Sequence, residues 1–83
     1  MNKGKYLDTI VEILKNELHA ENIYDNTNLI DEGLLDSLST IALVASLDDE
    51  LGIEIPMRYL IPENFETPSK IEDLILRIEN EDK

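Results

Sequence analysis

Asp31-Glu32-Gly33-Leu34-Leu35-Asp36-Ser37-Leu38, continuing through Ser39-Thr40-Ile41-Ala42-Leu43-Val44-Ala45-Ser46-Leu47-Asp48-Asp49-Glu50-Leu51 to Gly52, decides how this chain folds. A loop ends and a helix begins at the Asp36-Ser37 junction. Both residues are good helix N-caps, because a short side-chain oxygen can accept an orphan backbone N–H of the first turn. Ile41, Val44, Leu47 and Leu51 trace one helical face, and Leu43, Ala42 and Ala45 widen it. Gly52 is a natural C-terminal stop. The reading is a helix over residues 37–51. It has more apolar positions than one core face needs, so part of the surplus is expected to be exposed for a partner. Asp48, Asp49 and Glu50 crowd its last turn, where negative charge opposes the helix dipole.

On the N-terminal side, residues from about 20 to 36 keep no helical period. Asn22, Asp25, Asn26, Asn28 and Gly33 are turn formers, while Ile23, Leu29, Ile30, Leu34 and Leu35 are apolar at irregular spacing. This is a long loop pinned down by those side chains, and loops of this length in small domains are often functional. A calcium loop fails on register: starting at Asp25, the EF-hand glycine position falls on Ile30 and a ligand position on Leu29. Before the loop, Leu7, Ile10, Val11, Leu14 and Leu18 mark a first helix over about 3–19. His19 near its end fits the helix dipole better than it fits catalysis.

On the C-terminal side, Ile53-Glu54-Ile55-Pro56 alternates but has no strand to pair with, so it reads as an extended connector. Pro56 and Pro62 bound a short helix expected over about 58–64. Thr67-Pro68 opens a last amphipathic helix over about 68–79, with Ile71, Leu74, Ile75 and Ile78 inside and Glu72, Asp73, Arg77 and Glu79 outside. These faces are too narrow to stand alone. The expected fold is all-α, a single domain over 1–83: a small four-helix bundle of three longer helices and one short one, with a long first loop.

The 83 residues hold 19 acidic and 7 basic side chains, a net charge of -12, and no cysteine. Disulfides and thiolate metal sites are excluded. Nucleic acid is a poor partner, since affinity for phosphate backbones rests on Lys and Arg. An anionic membrane surface is disfavoured for the same reason, and basic protein surfaces are favoured. No apolar run follows the basic start, and no segment reaches membrane-spanning length, so a cytoplasmic monomer without membrane insertion is expected.

Ser37 stands at the centre of the chemistry. It is not in a Gly-x-Ser-x-Gly elbow, and the one histidine lies at the end of another helix, so no nucleophile–base pair is legible. The carboxylates form no glycosidase-type pair. The chain is expected not to be an enzyme. Two readings of Ser37 remain: a helix cap, or a hydroxyl that another enzyme modifies, with the helix N-terminus steadying an added phosphate.

At this point the sequence resembles the acyl carrier protein family, including its peptidyl and D-alanyl carriers. The resemblance spans almost the whole chain. It rests on Asp36-Ser37-Leu38 after a loop containing Gly33, on Thr40, on Leu47-Asp48-Asp49-Glu50-Leu51, on Gly52-Ile53-Glu54-Ile55-Pro56, and on the closing helix after Thr67. It implies that a phosphopantetheinyl transferase attaches 4'-phosphopantetheine from coenzyme A to Ser37, with Asp36 assisting recognition. Acyl groups then ride as thioesters between loading and using enzymes. By the same resemblance Leu38, Ile41 and Ala45 touch partners, Asp48, Asp49 and Glu50 meet their basic residues, and no metal is resident. Fatty-acid-synthesis carriers carry alanine before the aspartate, a second aspartate after the leucine and a glutamate mid-helix. Here Leu34-Leu35, Ser39 and Ala42 stand near or at those places. The implied role is therefore an acyl carrier in a specialised lipid or secondary-metabolite pathway. The alternative is a D-alanyl or peptidyl carrier loaded by an adenylating ligase, and the remote alternative is an unmodified acidic helical adaptor.

Overall fold

Apolar faces from three helices, none stable in water by itself, meet in one core. A computed structural model describes residues 4–81. It contains α1 (Leu7–Leu18), α2 (Ser37–Leu51) and α3 (Pro68–Glu81), and no strand among the described residues. Ile10 and Leu14 of α1, Leu43 and Leu47 of α2, and Ile71, Leu74 and Ile75 of α3 are fully buried. Each such side chain contributes about 1.5–3 kcal/mol on leaving water. Phe65 and Leu29 close the core from outside the helices.

The expected fourth helix over 58–64 is not an α-helix. Two 3-10 turns stand there, Met57–Tyr59 and Pro62–Phe65. Pro62 is the cause. Its ring disfavours helical backbone at the preceding residue, and Ile61 is extended at φ -117°, ψ 150°. Among the described residues the bundle is three α-helices with a kinked bridge between α2 and α3.

α1 is shorter than the expected 3–19. Gly4 takes a positive φ of 97°, and residues 4–6 form a turn rather than helix; Lys3 lies outside the described residues. Tyr6, at the N-cap, makes no side-chain cap. The cap comes instead from α3. Glu72, expected on the outside, is fully buried, and its carboxylate accepts the N–H of Gly4 (2.8 Å to each oxygen) and of Tyr6 (2.9 Å). A carboxylate at the positive end of a helix is favourable on charge as well as on hydrogen bonding. Tyr6 also donates its hydroxyl to Glu79 of α3.

At the other end of α1, His19 is the C-cap in left-handed backbone, φ 53° and ψ 42°. A Cβ makes that conformation costly, and glycine adopts it freely. His19→Gly is expected to raise stability by about 0.5 kcal/mol, part of the relief being cancelled by the added freedom of the unfolded chain. A urea midpoint that stays or falls contradicts this.

The loop from 20 to 36 is held at both ends. Ile23, Leu29 and Leu35 are buried, and Ile30 and Leu34 pack half-buried against the core. Leu29 donates its N–H to the Glu66 carbonyl (2.7 Å) and accepts at its own carbonyl from Leu34 (2.8 Å) and Leu35 (3.0 Å). The Ser69 N–H reaches the Asp25 carbonyl (3.1 Å). The loop therefore delivers residues 34–36 to a fixed place at the head of α2.

Candidate functional site

Of the two cap candidates, the fold uses Asp36. Its backbone is extended, at φ -132° and ψ -169°, and its carboxylate accepts the Ser39 N–H at 2.9 Å. That hydrogen bond holds the Asp36 carboxyl below the usual carboxylate range. The Thr40 hydroxyl donates to the Asp36 carbonyl at 2.6 Å and tightens the same turn. Ser37 is thus the first residue of α2. It is exposed, and its hydroxyl makes no hydrogen bond among the described residues. The helix end is already occupied by one anion, so a phosphate added at Ser37 shares it with the Asp36 carboxylate.

A cavity of about 480 Å³ opens beside Ser37. α2 contributes Thr40 and Ile41, the loop contributes Ile30 and Leu35, and the bridge contributes Met57, Leu60, Ile61, Pro62 and Phe65. Apart from Asp36, Ser37 and Thr40 the wall is apolar. Three of the lining residues are large hydrophobics in water, Met57 83%, Ile41 56% and Ile61 46% exposed, and Leu38, next after Ser37 in the chain, is 80% exposed. Ala42 and Ala45 continue the exposed face of α2. The surplus apolar positions of α2 are therefore at the surface, next to the serine.

The three acids at the end of α2 do not form one surface. Asp49 is exposed, and helical geometry puts it in line with Leu38, Ala42 and Ala45. Glu50 lies in a groove with Asp8, Glu12 and Asn16 of α1. Asp48 is half-buried, and its carboxylate accepts the Ile55 N–H at 3.1 Å. Burial pushes its carboxyl above the usual range. Met57 and Ile61 were not legible as site residues, because nothing in the local pattern says on which side of the bridge they emerge. Among the described residues no cluster of side chains could hold a metal ion, and no helix is long and apolar enough to cross a membrane.

The family model described as the phosphopantetheine attachment site matches residues 8–75. The chain is 40% identical over 65 residues to D-alanyl carrier protein 2 of Lactiplantibacillus plantarum, covering 76% of this chain and 80% of that protein. To D-alanyl carrier protein 1 of the same organism it is 36% identical over 74 residues, covering 87% and 88%. To the D-alanyl carrier protein of Listeria welshimeri it is 34% identical over 68 residues, covering 80% and 87%. A solved structure described as "Crystal structure of FAD-dependent dehydrogenase" contains a chain 34% identical to this one, with a TM-score of 0.72. The match covers 81% of this chain and 99% of that one.

Proposed function

The chain belongs to the phosphopantetheine attachment-site family, and from that premise we propose that Ser37 accepts the group and that the protein is a D-alanyl carrier loaded by an adenylating ligase. Carriers of this family hold 4'-phosphopantetheine covalently. The observation that supports Ser37 is that Asp36 does the capping, which leaves the Ser37 hydroxyl exposed and without a structural duty. The surroundings fit the group: a helix N-terminus beside the attachment oxygen and an apolar cleft beside the arm's root. When attached, the group supplies a terminal thiol on a long arm, to which an acyl or aminoacyl unit is held as a thioester.

The chain's own contributions are three. Ser37 supplies the oxygen that attacks the pantetheine-side phosphorus of coenzyme A; the pyrophosphate bond breaks, 3',5'-ADP leaves, and the serine proton passes to the transferase. Asp36, exposed and held ionised, fixes the first turn and presents a negative charge to the transferase. Leu38, Ile41 and Ala45 offer the transferase and the ligase an apolar contact, and Asp49 adds a charge for a basic partner residue.

The cargo reading follows the relatives. The expectation of a lipid or secondary-metabolite acyl carrier gives way to its D-alanyl alternative, because the relatives described above are D-alanyl carriers, and a fatty-acid-synthesis role finds no support among them. The unmodified adaptor leaves the family match without a cause. Holo protein is expected to gain one D-alanyl unit by intact mass when incubated with D-alanine, ATP and a D-alanine-adenylating ligase. L-alanine is expected to load far more slowly. Holo protein that takes up no D-alanine while accepting another acyl or aminoacyl unit overturns the cargo reading. The chain matched in the structure described as an FAD-dependent dehydrogenase supports a second reading, in which a flavin enzyme oxidises the carried unit. Loading of an aminoacyl or saturated acyl unit, followed by loss of two hydrogens by mass to a flavin enzyme, marks that case.

A further inference from the structure

The acids closing α2 differ in what they touch, and the difference assigns Asp48 a separate task. Its carbonyl accepts the N–H of Gly52, which caps α2 at φ 64°, and the N–H of Ile53 at 3.2 Å. Its carboxylate accepts the N–H of Ile55 at 3.1 Å. One residue therefore gathers three backbone donors of the connector from α2 to the first 3-10 turn. Two of them would be held by any residue at this position, since they use the main chain. The third is held by the side chain. Ile55 is buried, and two residues later Met57 is among the residues lining the cleft beside Ser37. Asp48 itself is half-buried on the side of α2 that faces the connector, whereas Asp49 points to water along the Leu38–Ala45 face.

We propose that Asp48 is a positioning residue for the Ser37 site: its side chain fixes the connector so that Met57 and the bridge keep their places in the wall of that cleft with Thr40 and Ile41, and it carries no partner charge. Asp49 is then the acid of the triplet that reads a basic partner. This deepens the modification reading, and it rests on Ser37 being the attachment residue. The carboxylate is used here as an acceptor oxygen. An amide offers the same oxygen in nearly the same place, so charge and positioning separate cleanly.

The experiment uses the full chain, coenzyme A and a broad-specificity phosphopantetheinyl transferase, with kcat/KM followed by intact mass at low and at high salt. Amide exchange at Ile55 and Met57 is followed in parallel. Asp48→Asn is expected to keep at least half of the wild-type rate, the same salt dependence and the same protection at Ile55. Asp48→Ala is expected to lose roughly fivefold or more in kcat/KM, equivalent to about 1 kcal/mol, with faster exchange at Ile55. Asp49→Asn is expected to leave exchange untouched and to flatten the salt dependence. Asp48→Asn falling as far as Asp49→Asn, with a flattened salt response, overturns the proposal; that comparison does not depend on how well Asp48→Ala folds. An unchanged rate in a folded Asp48→Ala also overturns it. Wild-type protein that gains no mass instead removes the Ser37 reading itself, a result that these outcomes do not resemble.

Discussion

Ser37→Ala is expected to gain no mass when incubated with coenzyme A and a broad-specificity phosphopantetheinyl transferase, while the parent chain gains one 4'-phosphopantetheine. The effect is all or none, because the substitution deletes the oxygen through which the group is attached. Its value lies in what it leaves intact. Asp36 makes the cap to Ser39, and the Thr40 hydroxyl tightens the turn, so α2 starts in the same place without Ser37. Alanine is also the best helix former and suits a first-turn position. The variant is therefore expected to melt within about 0.5 kcal/mol of the parent, as surface substitutions away from caps do. A mass gain in Ser37→Ala moves the attachment to another hydroxyl, and Ser39 is the nearest candidate. A large loss of stability would mean that the serine helps to build the helix after all.

The second large effect concerns a residue with no place in the chemistry. Glu72→Ala is expected to destabilise the domain by about 3 kcal/mol. The carboxylate takes the N–H groups of Gly4 and Tyr6, and hydrogen bonds to a charged group contribute about 1.5–3 kcal/mol each. Water reaching the part-buried turn recovers some of that. Domains of this kind have roughly 5–15 kcal/mol in all, so the loss is a large share. On that scale the melting temperature falls on the order of 15 °C. Glu72→Gln is expected to fall between the two, since it keeps one acceptor oxygen but turns an NH2 towards the same donors. Urea melts of the three proteins check the order. A Glu72→Ala loss under about 1 kcal/mol would show that the start of α1 is held by its apolar face alone.

Both Glu72 and Asp48 mark the boundary of what sequence can say. Their neighbours were easy to place: Ile71, Leu74, Ile75 and Ile78 recur at helical spacing, and so do Val44, Leu47 and Leu51. An acid at the margin of such an arc reads as solvent-facing, because polarity is the only local signal. Whether it meets water or a backbone N–H depends on what another segment brings there. For Glu72 that segment is the turn at Gly4, more than sixty residues away. The head of α2 was legible down to the residue, since Asp36, Ser37 and Gly52 are each good at ending a helix. Which of the first two does the capping was not, because both side chains can. The bridge departs from the expected helix for a different reason. Two prolines six residues apart leave room for a helical turn by count, but Pro62 constrains Ile61 as well as itself, and that removes the middle of the span.

The hydrogen bonds that Leu34 and Leu35 return to the Leu29 carbonyl are local, but the one from Leu29 to the Glu66 carbonyl ties the loop before Ser37 to a segment far along the chain. Glu66 is made by the ribosome long after Ser37. Closing contacts between distant segments is the slow part of acquiring a small fold. During synthesis the hydroxyl exists as chemistry before this long-range tie can form, because the tie needs residue 66. With Ser37 as the attachment residue proposed above, the clamp ties modification to maturity: a copy truncated before Glu66 still has the serine but lacks this hold on the loop that leads to it, and is expected to be modified more slowly than the full chain.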